Sequence, residues 1–119
     1  MKDFRDVKVW QKSHQLTLAI YRAIAGFPKD ELYGLRSQIR RSCASIPANI
    51  AEGCGRGGDK DFARFLQIAM GSASELEYHV LLARDLNLLD TGAYEALAGD
   101  VIEIKRMLAS FIQKLKADR

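Results

Sequence analysis

Apolar residues in this 119-residue chain recur in steps of three and four along four separate stretches. None alternates in the way a half-buried strand requires. That rhythm restricts the fold to amphipathic helices packed on one another. The first stretch spans about Val7 to Ala25, with Val7, Trp10, His14, Thr17, Tyr21 and Ile24 on one stripe and Leu16 and Ile20 beside it. Gly26, Phe27 and Pro28 stop it. The second begins between Asp30 and Leu35 and ends at Gly53 to Gly55. The third runs from about Lys60 to Leu86, with Asp59 as its expected N-cap. The fourth runs from about Gly92 to Lys116, capped by Asp90 or Thr91, on the stripe Tyr94, Leu97, Val101, Ile104, Leu108, Phe111 and Leu115. Short connections force neighbouring helices to be antiparallel. The expected fold is all-α, an up-down-up-down antiparallel four-helix bundle forming a single domain over residues 1–119.

A proline interrupts the second stretch chemically but not rhythmically. Leu35, Ile39, Cys43, Ile46 and Ile50 keep one stripe on both sides of Pro47. Inside a helix Pro47 removes the bond from its own N–H to the Cys43 carbonyl and crowds that oxygen, at roughly 3 kcal/mol. The surviving stripe predicts that helix 2 continues, kinked near Pro47. A second stripe follows one residue behind: Gln38, Ser42, Ser45, Asn49 and Glu52. Ser45, Asn49 and Glu52 are the expected partners of the carbonyl that Pro47 leaves open.

The third stretch places Phe62, Phe65, Leu66, Ala69, Ala73, Leu76 and Val80 inward, while Ala63, Ile68, Met70, Leu81 and Leu82 fall well off that centre. Such an arc is wider than the usual stripe of roughly 100°. With the polar stripe of helix 2, it suggests contact with other subunits. Gln38, Ser45, Asn49, Glu52, Ser72 and Glu75 are the candidate polar network of that interface. A small-molecule pocket between subunits around Asn49, Glu52, Ser72 and Glu75 is the alternative use of the same groups.

Two prolines and no low-complexity run argue against disorder. Apolar runs of only a few residues exclude a membrane-spanning helix. The first residues carry no apolar signal core, so a cytoplasmic location is expected. Cys43 and Cys54 on one helix stand roughly 16 Å apart along its axis, beyond disulfide reach, and read as small buried hydrophobes. His14 and His79 lack partners at metal-ligand spacing, so no metal and no cofactor is expected. His79, nearer the apolar side, is expected to hydrogen-bond in the core.

The net charge of +3 is unevenly spread. Residues 1–30 and 34–58 each carry +3, whereas residues 59–90 carry −3. Arg36 and Arg40 lie one turn apart on one flank of helix 2, while Arg41 points elsewhere. Two guanidiniums one turn apart repel unless carboxylates or an anion lie opposite. Carboxylates of helix 3 are the structural answer, and phosphates the functional one. No aromatic residue interleaves with them in the sequence, which argues against a stacking platform for a single strand. Arg36, Arg40, Arg41 and Arg56 are the candidate nucleic-acid contacts.

Gly53-Cys54-Gly55-Arg56-Gly57-Gly58 matches G-x-G-x-x-G, but it joins two helices rather than following a strand, so a dinucleotide site is excluded. These glycines are expected to end helix 2 and reverse the chain. Adjacent Glu75 and Glu77 face different ways on a helix. No Ser/His/Asp or Cys/His group assembles from the sequence, and no catalytic residue is assigned.

The whole chain resembles the 23S rRNA intervening-sequence protein family, also called the four-helix bundle protein family. The matching segments occur in order: Phe4-Arg5-Asp6-Val7-Lys8-Val9-Trp10, Gln38-Ile39-Arg40-Arg41, Ser45-Ile46-Pro47-Ala48-Asn49-Ile50-Ala51-Glu52-Gly53, Phe62-Ala63-Arg64-Phe65-Leu66, and Ile68-Ala69-Met70-Gly71-Ser72-Ala73-Ser74-Glu75-Leu76-Glu77. The resemblance implies an up-down bundle assembling into a ring-like homopentamer, with no established enzymatic activity. Some members are encoded inside insertions in large-subunit ribosomal RNA genes. Distantly similar accessory proteins of diversity-generating retroelements bind a reverse transcriptase and nucleic acid. The resulting expectation is a non-enzymatic homo-oligomer associated with RNA or DNA, or an accessory factor, through its basic surface. The alternative is an assembly scaffold that binds a protein partner and has no nucleic-acid role.

Overall fold

The computed structural model describes residues 3–31 and 34–117. Its helices are α1 (Lys8–Ile24), α2 (Leu35–Cys54), α3 (Asp59–Asp85) and α4 (Thr91–Ala117). Each boundary that the sequence places to a residue lies within one residue of its expected position. Short 3₁₀ turns at Phe4–Asp6 and Lys29–Glu31 precede α1 and α2 and were not foreseen. Each helix packs on its neighbours in sequence, and α4 closes the square on α1. The diagonal pairs are not adjacent, so the bundle is up-down-up-down, with extents of 46 × 22 × 20 Å.

The core runs the length of the square through Ile20, Ile24, Ile39, Cys43, Ile46, Ile50, Leu66, Leu76, Val80, Val101, Ile104 and Leu108, all essentially inaccessible. Burying each such side chain contributes about 1.5–3 kcal/mol. On α3 every residue expected inward is buried, together with Ala63, which the wheel places off that centre. On α4 the buried set departs from expectation by including Ala98, leaving Tyr94 half-buried and exchanging Phe111 for Ile112. On α1 the stripe is rotated. Val9, Ser13, Leu16, Ile20 and Ile24 point inward, whereas Trp10, His14 and Thr17 are half-buried and Tyr21 is exposed. The purely apolar side chains take the centre, because rings with a polar tip tolerate a flank where that tip stays wet. Buried Ser13 returns its hydroxyl proton to the Trp10 carbonyl at 2.9 Å.

Helix α2 runs without interruption through buried Pro47. The carbonyl deprived of its helical donor is bonded, but not by the polar stripe. Thr17 Oγ1, reaching across from α1, lies 3.2 Å from the Cys43 oxygen. The same hydroxyl lies 2.8 Å from the Ser13 carbonyl. One proton serves both, and only the Cys43 oxygen has lost its ordinary partner.

Gly53 does not end α2; it lies inside the helix, buried against α3. A Cβ there would stand 2.8 Å from Phe62 Cδ1 and 2.9 Å from Phe65 Cβ. The glycine therefore lets two helices approach closely. Gly55 caps the C-terminus, and Gly57, with φ of 89°, turns the chain.

The remaining ends follow capping rules with one departure from expectation. Gly58, not Asp59, occupies the N-cap of α3, and Asp59 is its first residue. Asn87 supplies the left-handed residue after α3, with φ of 62°. The Leu88 amide then donates to the Ala83 carbonyl at 2.8 Å and the Asn87 amide to Arg84 at 2.9 Å, a Schellman closure. Glu31 Oε1 accepts from the Leu35 amide at the start of α2, and Asp90 Oδ1 accepts from Ala93 at the start of α4.

Candidate functional site

The helices divide the charge between two halves of the bundle. Helices α1 and α2 carry six Lys or Arg residues against one carboxylate, Glu52; α3 and α4 carry seven against eight. The α1/α2 half is therefore +5 and the α3/α4 half −1.

Three of the four seams of the square are crossed by an ion pair: Arg41–Glu75 at 3.4 Å between α2 and α3, Glu77–Lys105 at 2.8 Å between α3 and α4, and Lys12–Asp100 at 3.6 Å between α4 and α1. All are partly exposed, so each contributes little to stability. Among the described residues none crosses the α1/α2 seam.

The four candidate arginines do not form one cluster. Arg41 turns toward α3, where it donates to Gln38 and pairs with Glu75. Arg56, at the α2/α3 turn, pairs with Glu52 at 2.8 Å and lies over the Phe65 ring. Arg36 and Arg40 take the opposite flank of α2. Neither has a carboxylate within ion-pair distance among the described residues, and their Nε atoms are covered without a partner. Helix α3 therefore neutralises Arg41 and leaves the other two.

An aromatic residue does interleave with this pair, supplied by another helix. The Arg40 guanidinium sits 5.5 Å from the centroid of the Tyr21 ring on α1, and Tyr21 remains 41% exposed. Along α1 the imidazole of His14 stacks on Trp10, with ring centroids 4.9 Å apart and planes at 10°, and Phe4 meets Trp10 edge-on. The step from His14 to Tyr21 is two helical turns, the signal in the sequence that both belong to one flank.

The candidate polar network divides in two, and both parts join α2 to α3 within one chain. Asn49 Nδ2 donates to the Ser45 carbonyl at 2.8 Å and to Ser45 Oγ at 2.9 Å, and the Ser45 and Ser72 hydroxyls share a hydrogen bond at 2.8 Å. Gln38, Arg41 and Glu75 form the second part. Glu52 joins neither and turns to Arg56. Ser42, buried in the same stripe, bonds back to its own helix.

Groups able to support chemistry are kept apart or inert. Burial pushes the Cys43 thiol up to about 12 and raises that of Cys54, so neither supplies a thiolate near neutral pH. The two cysteines are free and buried, as expected. His79 is half-buried, and its Nδ1 lacks a partner among the described residues, contrary to the expected core hydrogen bond. Burial holds its pKa below the ordinary value. No group of three or more His, Cys, Asp or Glu suited to a metal occurs among the described residues. A groove of about 730 Å³ at one end of the bundle joins Phe62, Phe111 and Leu115 to Asp6, Lys8 and Asp59, a mainly apolar lining with no paired acid and base. No helix among the described residues is long and apolar enough to cross a membrane.

Comparison with known proteins agrees with the resemblance read from the sequence motifs. A family model described as 23S rRNA-intervening sequence protein matches residues 5–110. The fold is similar to the crystal structure of a protein of unknown function from the S23 ribosomal protein family of Bacteroides thetaiotaomicron. The two share 31% identity with a TM-score of 0.79, over 87% of this chain and 97% of that one. No curated protein matches the chain.

Proposed function

The chain belongs to the 23S rRNA-intervening sequence protein family, and from that premise we propose that it acts without catalysis, as a homo-oligomer associated with nucleic acid through the basic half of its bundle. The observation that carries this reading is the pairing of a +5 half with a seam where Arg36 and Arg40 meet no carboxylate among the described residues. A polyanion supplies what α3 supplies to Arg41. Phosphate binding releases condensed counterions, so log K for RNA or DNA should fall linearly with log salt. Absence of binding to either at low salt would falsify the nucleic-acid role.

Self-association is supported by the outer face of α3. Ile68 and Tyr78 are exposed, and Gly71 lies between them with open space above its Cα. An apolar face with a glycine gap permits close approach of a second copy. The proposed order of the assembly is five, as the family resemblance implies. Light scattering should find an oligomer at micromolar concentration, and a monomer there removes this part of the proposal. The same face supports the rival reading, a scaffold for another protein. That reading gains if the oligomer forms and binds neither RNA nor DNA.

A further inference from the structure

We propose that the α1/α2 seam is a platform for a single nucleic-acid strand, where an unpaired base stacks on Tyr21 and phosphates lie along Arg36 and Arg40. The proposal rests on the nucleic-acid reading above and specifies its surface and the form of its ligand. Three observations meet on this flank. The first is charge: α1 has no acidic residue, and Arg36 and Arg40 have no carboxylate partner among the described residues. The second is an aromatic face beside that charge. Tyr21 is 41% exposed with Arg40 above its ring, and Leu18 beside it is 37% exposed. The third is continuation along one line, because His14 and Trp10 extend the row toward the other end of α1, stacked on each other.

A duplex keeps its bases stacked internally and offers this surface only phosphates. An exposed ring beside cations gains most from a base that is free to leave its own stack. The guanidinium already over Tyr21 holds positive charge where a base and its phosphate would both be within reach. His14 and Tyr21 are about 10.5 Å apart along the helix, three times the 3.4 Å rise of stacked bases. The row therefore has the length to serve several consecutive nucleotides. The other flank of α2 lacks these properties, since Arg41 and Arg56 already have carboxylates.

Fluorescence anisotropy with labelled oligo(dT), oligo(U) and a duplex of equal length, each over a salt series, tests this on the intact chain. A single strand of either sugar should bind at least about 10-fold tighter than the duplex. Tyr21→Leu, which keeps an apolar stem at an exposed position, should weaken single-strand binding about 10-fold and leave the salt slope unchanged. Arg36→Gln/Arg40→Gln should make the slope shallower by about two phosphate contacts. Arg41→Gln/Arg56→Gln should leave affinity within about 3-fold. Duplex binding as tight as single-strand binding, with Tyr21→Leu unchanged, overturns the platform and leaves the broader nucleic-acid role standing. Loss of binding in Arg41→Gln/Arg56→Gln but not in Arg36→Gln/Arg40→Gln also overturns it. Silence toward all three oligonucleotides at low salt overturns both readings. Displacement by polyglutamate at equal charge concentration assigns the seam to acidic protein and overturns the platform.

Discussion

The two flanks of α2 solve opposite problems with the same twenty residues. Toward α3 the helix is small and satisfied: Gly53 admits Phe62 and Phe65, Ser45 and Asn49 close a hydrogen-bond chain with Ser72, and Arg41 has Glu75. Toward α1 it is basic and incomplete by itself. Pro47 deprives the Cys43 carbonyl of its helical donor, Thr17 answers it from another helix, Arg40 meets a ring, and neither Arg36 nor Arg40 has a carboxylate partner among the described residues. Polar groups on the α3 flank are consumed by the fold. Those on the α1 flank retain unused capacity, which is why recognition is proposed there. Substitutions on each flank should therefore report different properties, stability on one side and ligand binding on the other.

The largest stability effect should come from closing the gap at Gly53. A methyl group there meets Phe65 Cβ at 2.9 Å, an atom fixed to the α3 backbone that cannot swing away. Overpacking of this kind costs about 1–3 kcal/mol, and here the upper end applies. The helix propensity gained offsets up to about 1 kcal/mol. Gly53→Ala should thus lose about 2 kcal/mol in chemical denaturation. Gly99→Ala, inside α4 with nothing within 4 Å of its added Cβ, should gain about 0.5–1 kcal/mol. If the two variants behave alike, the close contact of α2 and α3 is not what Gly53 serves.

The next effect belongs to the α1 flank. Thr17→Val keeps the shape and removes the proton shared with the Cys43 carbonyl, leaving a buried acceptor without a donor. The expected loss is about 1–3 kcal/mol. Pro47→Ala restores the ordinary helical donor, so in that background the Thr17→Val penalty should shrink below about 0.5 kcal/mol. A double-mutant cycle measures this coupling directly. An equal penalty in both backgrounds would mean that Thr17 acts through its own helix, by its bond to Ser13.

How legible these features were depends on whether their causes were local. Helix limits followed from apolar rhythm and from Gly, Pro and Asp at the breaks, which are properties of neighbouring residues. The inward centre of α1 was misplaced because Trp10, His14 and Tyr21 read as core by spacing, while their polar tips favour a flank. Gly53 read as a terminator because its reason, the Phe62 and Phe65 side chains, lies on the next helix. The donor for the Cys43 carbonyl is 26 residues away on α1, where no reading of α2 alone could find it. The candidate arginines were correctly separated by helical phase into Arg36 and Arg40 against Arg41. Their aromatic neighbour was missed because α2 contains no aromatic residue, and only the pairing of two antiparallel helices brings Tyr21 beside Arg40.

A smaller effect tests the satisfied flank. Ser45→Ala removes the centre of the chain from Asn49 to Ser72, at about 1 kcal/mol. Ser45→Ala/Ser72→Ala should cost less than the sum of the single changes, because the two hydroxyls are partners. Additive losses would show that the hydroxyls act independently, and the contrast between the flanks would then rest on packing alone.

The smallest effect is a pH dependence at the edge of the same flank. His79 is held below its ordinary value of 6.5, first by burial; Arg41 lowers it further and Glu75 opposes both. The folded chain therefore resists a proton that the unfolded chain accepts. Stability from this group is complete above about pH 6.5 and declines as pH falls from there toward the depressed folded value, below which the dependence ends. The two neighbours should act with opposite signs. Arg41→Gln removes a lowering influence and should flatten the decline between pH 7 and 5.5, while Glu75→Gln removes a raising one and should steepen it. His79→Gln should abolish this part of the slope. Equal slopes in the Arg41 and Glu75 variants would detach His79 from the Arg41–Glu75 pair, and the α3 flank would then be neutralised without being coupled.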